Sequence, residues 1–331
     1  MTNNDFKMQI IVNTQAEIDS VSLNFKGDII IKDNKNKLIV NNKYKNANVY
    51  VYNSDIIAKN HASVILFGDS YVEAHDMAYV EAWDDSYVEA YDRVSIKAYD
   101  NVEANVYNHV FISSYNNVRV NAYDESMCIS RDHVHVGFND RTGGIVYGNV
   151  ECFLYDDAHV IARNDSTVMV YNNSSASIYD NVKADAYDRS YIKIQGNAEI
   201  EIFGRVEADV KGNGKVIAHD HCFVKAYEQS LVECYDNCFI QSWESAKISS
   251  HNDSRVIAFD DCFVKAYDDS KIVANNEVNV EAHDTTNIEL YENAKVEVYD
   301  FQLAKVKNFR KNLINDSSNK KKRKSFMELG D

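Results

Sequence analysis

Rings and carboxylates recur at fixed spacing in YVEAHDMAYVEAWDDSYVEAYD, residues 71–92. Tyr71, Glu73, Tyr79, Glu81, Trp83, Tyr87, Glu89 and Tyr91 mix flat aromatic faces with acids. Rows of exposed rings suit sugars, bases or protein partners, and they also suit a purely stabilising ladder of stacked pairs. Regularly spaced carboxylates solvate a face, or present a basic groove with something resembling a nucleic-acid backbone. A second candidate patch lies in SRDHVHVGFNDRTGGIVYGN, residues 130–149, where His133 and His135 stand two apart and Arg141 follows. Two histidines can begin a metal site, but no third ligand with suitable spacing accompanies them.

The remaining reactive side chains point away from catalysis. Six cysteines are present, and the Cys234–Cys238 spacing is not that of a metal knuckle or a redox motif. All six sit at even positions, among the small apolar residues, and are expected to behave as such. A column of aspartates invites calcium, yet the Gly-Gly-x-Gly-x-Asp pattern of calcium-binding rolls is absent. No metal and no cofactor is expected. Catalytic residues concentrate on loops, and no insertion interrupts the repeat, so no enzyme is expected either.

The elements that must carry these residues follow from an eight-residue period. From position 68 to position 300 every eighth residue is Asp, Asn, Gly or Glu: 16 Asp, six Asn, five Gly and three Glu. A strict internal period of this kind marks a solenoid. Within each octad the period is two, the signature of strand. Even positions hold Val, Ile, Ala, Ser, Cys or the turn residue, whereas all ten histidines and every Lys or Arg between 64 and 300 are odd. One parity therefore faces a narrow interior and the other faces water. Asp, Asn and Gly share tolerance of left-handed backbone, so each octad is a strand closed by a tight corner. Pro is absent, as expected where backbone N–H groups are committed to a ladder.

The fold expected is all-β, a parallel β-solenoid. Two octads per coil give 16 residues and a thin two-sheet slab; three give 24 and a triangular prism. Small interior residues favour 16, because they would leave voids in a prism. Residues 1–53 read as an N-terminal α+β cap, in which Thr14-x-x-Glu17 opens a short helix with a capping box. Residues 54–300 form the octad solenoid. Residues 301–314 read as a C-terminal capping helix with Leu303, Val306, Phe309 and Leu313 on one face. Residues 315–331 read as a flexible basic tail containing Lys320, Lys321, Lys322, Arg323 and Lys324. Gly143-Gly144 and the bulky interior Phe138 are expected to kink the stack or form a local site.

Charge bounds the partners. The net charge is −16. From residue 301 onward there are nine basic and three acidic residues, so residues 1–300 carry 26 basic and 48 acidic side chains, a balance of −22. An acidic body does not grip DNA phosphates directly. The opening MTNNDFKMQIIV lacks the pattern of a secretory signal, and no stretch is long enough to span a membrane, so a cytoplasmic location is expected.

The octads AWDDSYVEA (82–90) and AYDDSKIVA (266–274), with the opening MQIIVNTQAEIDSV, resemble octad-repeat proteins of low-GC bacteria and their phages. They are more distantly similar to bacterial ice-nucleation repeats, but threonine is scarce here and ice binding is disfavoured. The resemblance implies a parallel β-solenoid and carries no catalytic residues. The reading is a non-enzymatic scaffold or binding protein, phage or prophage encoded, that meets a protein partner through outward aromatic and acidic faces. The alternatives are an acidic nucleic-acid mimic that inhibits a host defence protein, and a glycan-binding surface or virion fibre. Oligomeric state is left open by the sequence.

Overall fold

The computed structural model describes residues 8–22, 24–34, 36–41, 44, 47–299 and 304–309. The chain falls into two compact units, Met1–Ala176 and Ser177–Asp331. Both are parallel β-solenoids with 16-residue coils. In the first unit Ser95 lies opposite Phe111, and Phe111 opposite Met127. In the second unit Phe223 lies opposite Phe239, and Phe239 opposite Arg255. Each partner is 16 residues on, so two octads make one coil. Successive octads therefore belong to different sheets. In the first unit, one sheet contains the strands Ser63–Phe67, Tyr79–Ala82 and Ser95–Tyr99. The other contains Asp55–Ala58, Tyr71–Ala74, Tyr87–Ala90 and Glu103–Val106.

The period-two pattern sets what is inside. Val72, Ala74, Val80, Ala82, Val88 and Ala90 are fully buried, as are all six cysteines. Burying a Val or Ile side chain contributes about 1.5–3 kcal/mol, and the alternation repeats that gain in every coil. Small residues suffice because the slab is only two side chains thick.

Every eighth residue from Gly68 to Glu292 has positive φ, including Asp92 at 66°, Asn172 at 59° and Glu228 at 59°. Left-handed geometry is the common demand of the corner. The carboxylate adds a second role. Asp84 accepts from the Gly68 N–H of the preceding coil (3.1 Å), Asp124 from Asn108 (3.1 Å), Glu228 from Gly212 (3.0 Å) and Glu244 from Glu228 (2.9 Å). Corner acids thus satisfy backbone donors that turn away from the ladder. The serine two residues after the corner turns inward and donates back to the ring-bearing residue's carbonyl, as Ser86 does to Trp83 (2.6 Å) and Ser190 to Tyr187 (2.8 Å). This accounts for the recurrent Ala-aromatic-Asp-x-Ser.

Among the described residues, the first coil gains a short strand on one sheet and a helix on the other. Gln9–Ile11 pairs with Gly27–Lys32 in one sheet. The helix Gln15–Ser20 lies against the other sheet, with the expected capping box between Thr14 and Glu17. There the Gln15 amide substitutes for a strand: its Oε1 accepts from Ile39 N–H (2.8 Å) and its Nε2 donates to Ile39 O (3.2 Å).

Two expectations are corrected. The helix expected over 301–314 is, in its described part, the strand Lys305–Asn308, which pairs with Asn287–Leu290. The open edge of that strand is a stronger template than an isolated turn of helix, and Val306 gains Ile288 as a neighbour. Phe309 continues the outer ring column, stacking on Tyr291 at 5.2 Å. Leu303, Leu313 and the basic run Lys320–Lys324 lie outside the described residues. The second correction concerns Gly143-Gly144, where strand pairing runs through without interruption. A Cβ on Gly144 would stand 2.5 Å from the Phe138 ring, so the glycine makes room for the large interior residue and the coil keeps its register. Among the described residues, no helix is long and apolar enough to cross a membrane.

Candidate binding surface

Two octads per coil separate the eight residues singled out in 71–92. Tyr71, Glu73, Tyr87, Glu89 and Tyr91 lie on one sheet of the first unit; Tyr79, Glu81 and Trp83 lie on the other. Neighbours on a face are 16 residues apart, so arithmetic on the coil, not adjacency in sequence, identifies the patch. By that rule Glu103, Asn105 and Tyr107 join the first group.

On that sheet Tyr71, Tyr87 and Glu103 share one row, and Glu73, Glu89 and Asn105 the next. The rings of Tyr71 and Tyr87 stack at 5.7 Å. Across the carboxylate row a second ladder runs through His75, Tyr91, Tyr107 and Tyr123 at 5.0–5.1 Å. The result is a row of acids between two rows of rings, all half-buried. Tyr71 donates its hydroxyl to Glu89 Oε2 (2.6 Å). Burial, and then the bond to Glu89, push the Tyr71 phenol well above its usual range. Burial and then Glu89 likewise raise Tyr87 and Tyr91. These phenols are held neutral: Tyr71 donates to Glu89, the Tyr87 hydroxyl accepts from Asn105 Nδ2, and all three offer ring faces. Glu73 is held below the usual carboxylate range by Lys37 and then His75. Lys37 Nζ lies 2.6 Å from Glu73 Oε2 and 4.7 Å from the Tyr71 ring centre.

The other sheet carries a smaller relative of this arrangement. Trp83 Nε1 donates to Glu81 (3.1 Å), and its ring stacks on Tyr99 at 4.1 Å. Lys97 lies 6.0 Å over the Tyr79 ring.

The residues of the second candidate patch lie on two successive corners and the strand between them. His133 occupies a corner with φ 47°. His135 lies on the strand His135–Phe138, 2.8 Å from Glu151. Arg141 follows the next corner along the chain and pairs with Glu125, which also takes His109 (3.0 Å). Among the described residues no cluster of three or more His, Cys, Asp or Glu is arranged to hold a metal. Burial raises the Cys128 and Cys152 thiols and pushes Cys234 up to about 12, whereas the bond from Cys238 lowers Cys222.

Fold and surface together define a class: a parallel β-solenoid with two strands per coil, bearing outward ladders of rings and carboxylates. No known protein family, curated protein or solved structure matches the chain.

Proposed function

We propose that the protein is a non-enzymatic β-solenoid that binds a protein partner through its outward aromatic and acidic faces, and that it acts in the cytoplasm of a bacterium as a phage or prophage product. The observation that carries this reading is the acid row of Glu73 and Glu89 set between the Tyr71–Tyr87 pair and the His75–Tyr91–Tyr107–Tyr123 ladder. Tyrosines held by stacking expose large rigid area at low entropic cost, which is what interface anchors supply. The corner carboxylates are largely occupied with backbone donors, so the acidic charge has a structural origin there and need not imitate a nucleic acid.

Affinity capture from the native host followed by mass spectrometry tests the reading. A stoichiometric protein partner whose binding weakens only gradually with salt is expected. A partner released steeply as salt rises would favour nucleic-acid mimicry instead. Hits on a glycan array without a protein partner would favour the glycan reading, and turnover in a hydrolase or lyase screen would overturn the non-enzymatic part.

A further inference from the structure

One outward face of the first unit carries no acid. It spans the strands Phe111–Tyr115, Met127–Arg131, Gly143–Tyr147 and His159–Arg163, each paired with the next. Its central row is Ser113, Ile129, Ile145 and Ile161. The row before it is Phe111, Met127, Gly143 and His159, with Phe111 37% and Met127 56% exposed. The ring row after it is Tyr115, Arg131, Tyr147 and Arg163. A single outward apolar residue is ordinary: Ile217 stands in its row between Glu201 and Glu233. Three isoleucines in register beside Phe111 and Met127 form a contiguous apolar patch, and such patches mark contacts.

The two margins of this face differ in charge. The corners leading into these strands hold Asp124, Glu125, Asp140, Asp156 and Asp157, against one arginine, Arg141. On the far margin stand the exposed Arg131 and Arg163, and the corners beyond them hold only Asp132 and Asp165 as acids. Gly143 has no local reason to be glycine. Its backbone is strand without positive φ, and a Cβ there would meet only His159 O, at 3.6 Å. It leaves a bare spot in the outward row.

A second copy of the chain answers all three features at once. A two-fold axis along the direction in which the coils stack reverses the strands and keeps the coil order, so each coil faces its own equivalent. Ile145 then meets Ile145 of the second copy, and Tyr147 of the second copy covers the bare Gly143. Arg131 reaches toward Glu125 of the second copy and Arg163 toward Asp157. Glu125 already takes Arg141 and His109 of its own chain, so Asp157 is the acid to test. An axis along the strands would instead lay the arginine row over itself. We propose that this face joins two copies of the chain in an isologous dimer about the stacking axis. Chains of net charge −16 repel one another, and an acid-free face lets apolar surface meet with least repulsion. The dimer leaves the Glu73–Glu89 row, on the other sheet, open to a protein partner.

Sedimentation velocity on the full chain over a dilution series should find a species of twice the 37.8 kDa chain mass. Ile145→Lys should weaken the dimer at least about thirtyfold, whereas Met169→Lys, at an outward position on the other sheet, should change it less than about twofold. Gly143→Gln, which fills the bare spot, should weaken it about tenfold. Arg163→Glu and Asp157→Lys should each weaken it about tenfold, and an equal mixture of the two should recover association to within about threefold. The mixture recovers because opposite charges meet again at both equivalent contacts, and its recovery shows that both variants fold. A chain that stays monomeric at every concentration would overturn the proposal, as would a dimer that Met169→Lys weakens as much as Ile145→Lys. Charge variants that fail to associate when mixed would overturn the two-fold arrangement and the proposal with it.

Discussion

Two ring ladders, one in each unit, share a geometry and differ in chemistry. In the first unit His75, Tyr91, Tyr107 and Tyr123 stack at 5.0–5.1 Å with planes within 12°. In the second unit Tyr187, Phe203, His219, Tyr235, His251, Tyr267, His283 and Tyr299 stack at 4.7–5.3 Å with planes within 15°. The first is mostly phenol; the second alternates imidazole with phenol over much of its length. The spacing follows the hydrogen-bonded distance between coils and hardly changes with the ring. The coil therefore dictates where rings stand, and leaves free which rings they are. Ring identity is the variable through which one wall can carry different surfaces.

The largest effect should come from breaking the coil beneath either ladder. Asp92 follows Tyr91 at φ 66°, and Asp236 follows Tyr235 at φ 62°. Each accepts a backbone N–H from the preceding coil, at 3.3 and 3.4 Å respectively. Valine at either position meets the left-handed penalty and abandons that donor. Asp92→Val and Asp236→Val should each cost about 2–4 kcal/mol, and the corresponding Asn substitutions less than about 1 kcal/mol. Urea unfolding measures both. A clear inequality between the two valine variants would mean that the ladders, and not the shared coil, hold the units.

Removing a rung should matter less. Tyr107 and His251 are each stacked on both sides. Tyr107→Ala and His251→Ala should each cost about 1–2 kcal/mol, counting two ring contacts. The exchanges Tyr107→His and His251→Tyr should be nearly neutral at pH 8. If the exchanges cost as much as the alanines, ring identity is not free.

These contrasts show where the sequence was legible. The octad, the parity of Val and Ala and the Asp corners follow from local sterics and solvation, so the solenoid and its inward face could be read residue by residue. The 16-residue coil could be argued from the small size of the interior residues. Other features depend on neighbours one coil away. That Asp84 caps Gly68, that Gly144 accommodates Phe138, and that Tyr71 belongs with Tyr87 and not with Tyr79 all require the coil length first. Once 16 is adopted, stepping by 16 from Tyr71 and Tyr91 recovers Glu103 and Tyr107. The strand Lys305–Asn308 was hidden because its apolar spacing also fits a helix face; only the waiting edge of Asn287–Leu290 decides between them.

The ladders should also part company at high pH. Burial raises Tyr71, Tyr79, Tyr87, Tyr91, Tyr99 and Tyr107 in the first unit, and neighbouring carboxylates add to most of them. In the second unit Tyr191 and Tyr235 are pushed up to about 12, with carboxylate bonds from Asp209 and Glu233 among the causes. A tyrosine whose folded value lies above its unfolded value of 10.0 contributes stability that is complete below pH 10 and fades as pH rises through the folded value. Stability should therefore fall from about pH 10 upward. The clustering in the first unit predicts that Tyr-to-Phe changes there flatten this slope most. A slope unchanged by Tyr87→Phe combined with Tyr91→Phe would contradict that assignment.

The smallest effect concerns the acid that one unit places between its ladders. Glu73 is held low by Lys37 first and His75 second. Its folded value lies below the unfolded 4.5, so its contribution is present above about pH 4.5 and is lost as pH falls through the folded value. Both partners remain partly exposed, with side-chain exposures of 38% for Lys37 and 29% for Glu73, so solvent screens the pair and the contribution stays under about 1 kcal/mol. Glu73→Gln should lower stability by that small amount at pH 7 and remove part of the decline between pH 5 and pH 3. The second unit supplies the reference at pH 7: Lys225 pairs with Glu207 and Asp209, so Glu207→Gln should lower stability there by a similarly small amount. If Glu207→Gln cost clearly less than Glu73→Gln at pH 7, the contact of Glu73 with His75 and the second acid that Lys225 keeps in Asp209 would account for the difference.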